Sequence, residues 1–308
     1  MNKKIIITGG LGYIGSHTIV ELKEIIDEFI IIDNLSNSDI SVIDKLKTLT
    51  KKKIINYNES INNENKLKEI FKVHQPDSVI HFAGLKSVQE GELNPDKYFY
   101  TNVSGTVSLL NALKEYKCSN FIFSSSATVY GNPEYLPYDE EHLTKPINNY
   151  GRTKLAAEQI IHDWADNNNI STLSLRYFNP VGAHITALIG EKPEGIPNNL
   201  MPYILEVISG RLKELNVYGD DYDTKDGSGE RDYIHVTDLA QAHVSALAYC
   251  DKNTVNDVFN IGTGESISVF DIINTFKNSL NTNINYKVTK RRDGDLPKYF
   301  SATNKAEK

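Results

Sequence analysis

The sequence predicts an α/β fold in which a parallel sheet is covered by helices on both faces. Short apolar runs rich in isoleucine occupy residues 4–8 and 29–33, and such β-branched runs are typical of strands buried on both sides. Between them, residues 16–26 repeat apolar side chains at helical spacing. A strand–helix–strand unit at the start of the chain therefore favours a parallel pair with a right-handed crossover.

The same alternation continues along the chain. Residues 77–84 and 120–126 have the composition of strands, and residues 101–116 between them have that of a helix. Residues 258–262 and 268–280 predict one more strand and one more helix. Because each unit repeats the strand–helix order, we expect one sheet of several parallel strands.

The first predicted strand leads into a glycine-rich turn. Gly9, Gly12 and Gly15 allow a tight turn, close approach of a pyrophosphate and close helix–strand packing, and the helix N-terminus favours negative charge. Asp33 ends the second strand, where it can accept from the hydroxyls of an adenosine ribose; Asn34 follows, with no arginine for the extra phosphate of NADP. This predicts a Rossmann-type doubly wound sheet that binds NAD, the alternative being a tight turn in an unrelated α/β protein.

The composition changes after residue 178. Residues 179–232 are rich in Pro, Gly and Asn, as is common in loops that bind ligands. We therefore expect an NAD-binding domain at 1–178 and a smaller α/β substrate domain at 179–308, with 233–262 returning to the first domain.

The bulk properties exclude several classes of function. The chain has 308 residues and a net charge of −7, which disfavours nucleic acid as a partner. Cys118 and Cys250 have no metal-site or disulfide spacing, and no apolar run approaches the ~20 residues of a membrane helix. We expect a cytoplasmic protein without a metal site or a membrane partner.

A tyrosine and a lysine lie four residues apart where a helix is expected to begin. Tyr150 and Lys154 would share one helix face, and an ammonium favours the phenolate by lowering a pKa that is ordinarily about 10. In a nicotinamide site Tyr150 could then remove a proton, while Lys154 could also reach the nicotinamide ribose. One of Ser124, Ser125 and Ser126, at the end of a predicted strand, could bind the reacting oxygen. By itself the pair also fits an ordinary amphipathic helix.

Longer stretches make the sequence more specific. They include "DNLSNS", "IHFAGLKSV", "FIFSSSATVYG", "YGRTK", "LRYFNPVGAH", "GIPNNLMPYI" and "ERDYIHVTDLA". With these stretches, from "IIITGGLGYIGSHT" to "RRDGDLPKYF", the chain resembles the UDP-glucose (UDP-galactose) 4-epimerases of the extended short-chain dehydrogenase/reductase family.

The resemblance implies a set of site residues. Those implied for NAD are Gly9, Gly12, Tyr13, Ile14, Gly15, Asp33, Asn34, Leu35, Ser36, Asn37, Ser38, Ser60, Ile61, Phe82, Ala83, Gly84, Leu85, Lys86, Asn102, Tyr150, Lys154 and Phe178. Those implied for the nucleotide sugar are Ser126, Tyr150, Asn179, Asn199, Leu200, Asn216, Val217, Tyr218, Arg231, Arg292, Asp295 and Tyr299. The implied catalytic residues are Tyr150, Lys154 and Ser126. Ser60 stands where the family usually has an acidic residue, so weaker NAD affinity is expected.

The resemblance also implies the reaction, a reversible epimerisation of UDP-galactose and UDP-glucose at C4. Tyr150 would take the proton of the 4-hydroxyl while hydride passes to tightly bound NAD. A 4-keto sugar would then turn in the pocket and receive the hydride on its opposite face. The UDP must be held firmly meanwhile, and Arg231 and Arg292 offer fork-shaped donors suited to a diphosphate.

Three other functions fit the sequence less well. A nucleotide-sugar 4,6-dehydratase would need an acid–base pair after Ser126, where this chain has Ala127 and Thr128. A UDP-N-acetylhexosamine 4-epimerase would have to fit the acetamide beside the bulky Tyr299. A non-catalytic NAD-sensing protein often lacks the Tyr or the Lys that are present here.

The resemblance carries two further expectations. Helices around 101–110 and 150–161 have apolar faces through which the family commonly forms homodimers, and C2 dimers are the commonest assembly. The family also continues for a few helical turns beyond Lys308, so residues 303–308 are expected to begin a terminal helix.

Overall fold

A parallel sheet of seven strands forms the centre of the molecule. The computed structural model describes residues 3–193, 195–292 and 294–308. The strands are β1 Lys4–Thr8, β2 Glu28–Asp33, β3 Lys53–Asn58, β4 Ser78–His81, β5 Asn120–Ser124, β6 Ser171–Tyr177 and, later in the chain, β11 Asn256–Ile261. They lie in the order β3-β2-β1-β4-β5-β6-β11, and every pair is parallel. The predicted doubly wound α/β sheet is confirmed, and its strand order reverses between β1 and β4, where such sheets bind ligands.

The sheet is buried on both faces because its strands are apolar at odd and even positions alike. In β1, Ile5 and Ile7 pack into one core cluster with Ile19, whereas Ile6 packs into another with Phe121. Successive side chains of a strand point to opposite faces. The run "KIIIT" therefore needs a cover of helices on each side.

Helices supply that cover. They are α1 Tyr13–Glu21, α2 Val42–Thr50, α3 Glu64–His74, α4 Val88–Leu93, α5 Pro95–Tyr98, α6 Gly105–Leu113, α7 Asn149–Asn168, α8 Leu200–Ile208, α9 Val236–Cys250 and α10 Val269–Leu280. The helix expected at 16–26 begins three residues earlier and ends at Glu21, with a 3₁₀ turn after it. The helix expected at 101–116 is shorter than predicted, because a π-helical turn at Phe99–Ser104 precedes α6.

Helix α7, which carries the predicted catalytic residues Tyr150 and Lys154, begins at a side-chain cap. The side chain of Asn148 accepts a hydrogen bond from the Gly151 amide at 2.7 Å, which is an N-cap. This cap fixes the start of the helix, so Tyr150 and Lys154 lie on its first two turns, and Lys154 Nζ reaches the carbonyl of Ser124 at the carboxyl end of β5.

A smaller region follows β6. Its strands are β7 Asn179–Val181, β8 Leu215–Tyr218, β9 Glu230–Arg231, β10 Tyr233–His235, β12 Ile267–Ser268, β13 Tyr286–Thr289 and β14 Lys298–Tyr299. They pair as β7 with β10, β8 with β13, and β9 between β12 and β14. Helices α8 and α10 pack with β8 in a separate apolar cluster that includes Ile204, Val217 and Ile273. The division of the chain at residue 178 stays a prediction.

The last residues of the chain form a turn. Residues 304–307 form a turn in which the Glu307 amide donates to the Thr303 carbonyl at 3.2 Å. Among the described residues, no helix has both the length and the apolar character that crossing a bilayer requires.

Candidate functional site

The turn between β1 and α1 lies at the carboxyl edge of the sheet and has room only for glycine at two positions. Gly9 has a φ of +69°, and a Cβ there would lie 2.7 Å from the backbone nitrogen of Ala83. A Cβ on Gly15 would lie 2.5 Å from the Gly9 carbonyl oxygen. Gly12 caps α1 without a side chain, so the first N–H groups of the helix have no partner within it. The turn therefore fits the pyrophosphate of a dinucleotide.

The Asp33 carboxylate lies beside this turn and is almost fully buried. It accepts hydrogen bonds from the Leu11 amide at 3.0 Å, the Leu35 amide at 3.0 Å and the Ser38 hydroxyl at 2.7 Å. Of the predicted NAD contacts in the same loop, Asn34, Ser36 and Asn37 are exposed. Since a carboxylate offers about four acceptor sites, Asp33 keeps capacity for a ribose hydroxyl, and the loop fits the adenosine half of NAD.

Ser60 and Ile61 lie on the next loop, after β3. Ile61 is buried and packs closely on the start of α6, where a Cβ on Gly105 would lie 2.7 Å from its side chain. The Ser60 hydroxyl accepts from the Asn62 amide at 3.2 Å. It also donates to Asn62 Oδ1 at 3.4 Å, so both bonds of the hydroxyl stay within its own loop.

The side-chain amide of the buried Asn102 holds the loop after β4 in place. The residues of this loop are Phe82, Ala83, Gly84, Leu85 and Lys86. The Asn102 side chain accepts from the Leu85 amide at 2.8 Å and donates to the Leu85 carbonyl at 3.0 Å and the Thr153 hydroxyl at 3.0 Å. A Cβ on Gly84 would lie 3.9 Å from Lys154 Nζ. Asn102 therefore joins this loop to α7 beside the lysine.

Lys154 is buried and Tyr150 is half-buried, and burial is the largest influence on the pKa of each. Lys154 Nζ donates to the Ser124 carbonyl at 2.7 Å and lies 5.9 Å from the centre of the Tyr150 ring. Burial lowers the pKa of Lys154 to about 8, opposed by the charge of Glu158. Burial raises the pKa of Tyr150 to about 12, opposed by the Ser126 side chain. The predicted lowering of the Tyr150 pKa by Lys154 is not seen in this structure, because the ammonium is directed at the carbonyl.

The three serines at the end of β5 have different partners. The Ser124 hydroxyl bonds to the Tyr177 hydroxyl, and the Ser125 hydroxyl donates to the Glu158 carboxylate. The Ser126 oxygen accepts from the Thr128 amide at 3.2 Å and lies within reach of Tyr150. This arrangement favours Ser126 as the hydroxyl that would bind a reacting oxygen.

On the nucleotide-sugar side, aromatic rings form one wall. Phe178 and Tyr299 have ring centres 5.0 Å apart, and the buried Tyr299 hydroxyl has no hydrogen-bond partner among the described residues. Tyr299 is paired with Arg231 across β14 and β9. Asn179 begins β7, next to Tyr233 of β10.

Four of the residues predicted to contact the diphosphate and uridine contact one another in two pairs. Arg231 Nη2 bonds to the Asp295 carboxylate at 2.6 Å, and the Arg292 guanidinium lies 3.9 Å from the centre of the Tyr218 ring. The other predicted members of β8 are Asn216, whose buried Oδ1 has no partner in the described chain, and the buried Val217. Arg231 Nη1 also donates to the Glu230 and Leu296 carbonyls at 2.8 and 2.9 Å, so two of the five N–H donors of this guanidinium remain for an anion.

Residues 5–262 match the model of the NAD dependent epimerase/dehydratase family. This chain belongs to that family. A UDP-glucose 4-epimerase of Haemophilus influenzae is 45% identical over 99% of this chain and 90% of the relative. The family membership agrees with the resemblance seen in the sequence motifs.

Solved structures of this epimerase/dehydratase family share the fold over nearly the whole chain. A UDP-glucose-4-epimerase from Stenotrophomonas maltophila with bound NAD and formylated UDP-arabinopyranose has a TM-score of 0.95 at 43% identity, covering 99% of this chain and 91% of that chain. A UDP-glucose 4-epimerase from Bifidobacterium longum in complex with NAD+ and UDP has a TM-score of 0.94 at 41% identity, with the same coverage.

The sequence analysis did not identify three charged residues at the site of this protein. Glu191 accepts from Lys86 Nζ at 3.3 Å and from the Asn199 amide at 2.7 Å, just before Leu200 begins α8. Glu158 and Arg176 form a buried ion pair behind Lys154. The spacing of Glu158, one helical turn after Lys154, was a usable signal; the loop position of Glu191 gave none.

Proposed function

We propose that this chain interconverts UDP-galactose and UDP-glucose by inverting C4 of the hexose, with NAD as its bound cofactor. The observation that carries the proposal is the convergence of Tyr150, Ser126 and Lys154 beside the glycine turn. When bound, NAD would supply a reversible acceptor for the hydride of C4. The protein supplies binding, orientation and control of one proton.

The glycine turn and the Asp33 loop would hold the two halves of the dinucleotide, because they offer free helix N–H groups and a buried carboxylate. The loop at 82–86 would complete the nicotinamide side next to Lys154. These residues fit NAD as a prosthetic group that stays in place between turnovers.

Tyr150 acts as the base for the 4-hydroxyl of the hexose. A phenol held by burial at a pKa of about 12 is a poor base at neutral pH, so positive charge from Lys154 and from the oxidised nicotinamide must lower it. Ser126 lies close enough to bind the same sugar oxygen. The proton taken by the Tyr150 oxygen is returned to the sugar when the carbonyl at C4 is reduced.

Inversion requires that the hexose turns while the UDP stays fixed. Arg231 and Arg292 offer bidentate donors to a diphosphate, and Asn199, at the start of α8, adds an amide. The hexose itself meets the aromatic wall of Phe178 and Tyr299, which gives few directional contacts. Tyr299 also crowds the space for an N-acetyl group, so UDP-glucose and UDP-galactose are the substrates.

The direct test is incubation of purified, NAD-loaded protein with UDP-galactose, without added reductant, followed by chromatography of the nucleotide sugars. We expect UDP-glucose to appear and the same mixture to form from either sugar. UDP-N-acetylgalactosamine serves as the competing substrate in the same assay. Absence of interconversion by folded, NAD-loaded protein would overturn the proposal.

We also propose that the protein is a homodimer. The segment that joins α4 to α6 leaves Leu93, Phe99 and Tyr100 exposed by 75%, 40% and 62%, and it packs beside α7. Exposed apolar side chains this close together mark protein interfaces. Light scattering after size-exclusion chromatography should give twice the chain mass, and Tyr100→Asp should give a monomer. The control Tyr286→Asp, on the distant β13, should stay dimeric.

The thiols support a reducing, cytoplasmic location for the protein. Cys118 and Cys250 are both free and buried, and burial raises the pKa of each thiol to about 12. Neither is placed for a disulfide-dependent fold. Cell fractionation that found the protein outside the cytoplasm would contradict this.

A further inference from the structure

A buried ion pair lies directly behind the proposed catalytic residues and has no part in the reaction as described above. Glu158 and Arg176 are 2% and 6% exposed. Arg176 Nε lies 3.0 and 3.2 Å from the two carboxylate oxygens, and Nη2 lies 2.7 Å from one of them. A buried pair of this kind is no more stabilising than apolar packing in general. Stability alone therefore does not explain the pair, and its position next to Lys154 indicates a role in the site.

The charge of Glu158 also acts on Lys154, where it raises a pKa that burial lowers. The two residues are one turn apart on α7 and so face the same way. The hydrogen bond of Lys154 goes to a neutral carbonyl, that of Ser124. Two other titratable groups lie close to Lys154, namely His81 and Tyr150, and Tyr177 lies beside Tyr150. All three are uncharged at neutral pH, because burial lowers the pKa of the histidine and raises that of each phenol.

The same carboxylate also reaches the strand that carries the serines. The Ser125 hydroxyl donates to Glu158, and the Ser125 amide donates to the Leu175 carbonyl at 2.9 Å. Ser126 is the next residue. One side chain of α7 therefore fixes the strand end opposite Tyr150.

Arg176 is held in turn by a polar chain. Its Nη1 donates to the Tyr130 hydroxyl at 3.2 Å, which donates to Asn260 Oδ1 at 2.7 Å. The guanidinium is thus anchored to β11 and cannot turn away from Glu158 without breaking several buried hydrogen bonds. The Glu158 carboxylate is held in place by the same contacts.

We propose that Glu158, clamped by Arg176, is a positioning residue that keeps the Lys154 ammonium charged and holds the Ser126 strand end against α7. It acts through Lys154 and Ser125 and touches neither substrate nor cofactor. The inference rests on the proposed function, in which a cationic Lys154 makes Tyr150 a base.

The test replaces the charge while keeping the shape, in Glu158→Gln. Burial then acts unopposed, so the Lys154 pKa falls and the ammonium is lost at lower pH. The tyrosinate absorbance of NAD-loaded protein, taken as the difference from Tyr150→Phe, should show the Tyr150 midpoint about one pH unit higher. The alkaline limb of epimerisation should move to lower pH. Glu158→Asp keeps the charge and should stay close to the wild type.

Two variants separate this role from a purely structural one. Glu158→Gln leaves the guanidinium unpaired, so the double variant Glu158→Gln/Arg176→Met removes both charges and should show the same shift of the Tyr150 midpoint. Leu67→Ala, on the buried face of α3, lowers stability and should leave the Tyr150 midpoint unchanged. If Glu158→Gln fails to fold, the double variant decides.

An unchanged Tyr150 midpoint in either folded, NAD-loaded variant would overturn the role of Glu158. This outcome is distinct from failure of the proposed function. Wild-type protein that does not interconvert the two UDP-sugars defeats the function, whereas the absorbance titration uses no substrate and still reports on Glu158.

Discussion

At the scale of single residues, the chemistry of the site depends on which of the three serine hydroxyls at the end of β5 is not already bonded to another side chain of the core. Ser124 and Ser125 lose theirs to Tyr177 and Glu158, and only Ser126 is directed at Tyr150. The triplet could be found in the sequence, but the choice within it could not. Both partners come from β6 and α7, so the decision depends on contacts between distant segments.

Tyr150→Phe should abolish turnover and leave bound NAD in place. The substitution removes only the phenolic oxygen, and a lost general base costs about 10²- to 10⁴-fold in rate. The readouts are product chromatography and the NAD released on denaturation. Tyr249→Phe, on the exposed part of α9, is the matched control and should keep normal activity. Near-normal turnover by Tyr150→Phe would reject Tyr150 as the base.

At the scale of elements, local patterns predicted strands better than helix ends. The sequence predicts β1 and the glycine turn, because a strand buried on both faces is rich in isoleucine and a tight turn requires glycine. The π-helical turn before α6 leaves no such trace in the composition. It places Asn102 between Leu85 and Thr153, a tertiary contact that spacing along the chain does not reveal.

Gly9→Ala should destabilise the protein and release NAD. Gly9 and Gly210 both have positive φ, so alanine costs about 1–2 kcal/mol of backbone strain at either position. A Cβ at Gly9 also collides with the Ala83 backbone, whereas a Cβ at Gly210 meets open space. We expect about 1–3 kcal/mol of additional loss for Gly9→Ala, measured by urea unfolding. Equal losses for the two variants would show that the close approach to Ala83 does not matter.

At the scale of the whole molecule, the site assembles from segments far apart in sequence. The sheet order brings the ends of β1, β2, β4 and β5 to one edge, and this much followed from the predicted parallel sheet. The contacts of Glu191 with Lys86 and Asn199 did not follow. They join a loop of the smaller region to the main sheet, and no periodic pattern encodes that contact.

The free energy of unfolding should fall as the pH falls from about 6.5 towards 4. Burial lowers the pKa of His81 to about 3 and of His243 to about 4, so in this range the unfolded chain binds protons that the folded chain does not. Each histidine contributes a slope of up to about 1.4 kcal/mol per pH unit. Urea midpoints at about pH 7 and about pH 5.5 measure it.

His243→Phe is the matched variant for this prediction. The His243 ring centre lies 4.8 Å from that of Phe82, so another aromatic ring suits the position. Removing the His243 imidazole should make the free energy of unfolding depend less steeply on pH. Urea midpoints that are equal at both pH values in the wild type would contradict the prediction.

The two enclosed thiols make the protein convenient for spectroscopy. Cys118 and Cys250 are shielded and weakly acidic, so they react slowly with maleimide reagents, which attack thiolates. An added cysteine at the exposed Lys252 would take a fluorophore selectively. That position precedes β11 at the amino edge of the sheet, far from the reaction chamber, and a dye there would report on assembly without disturbing turnover.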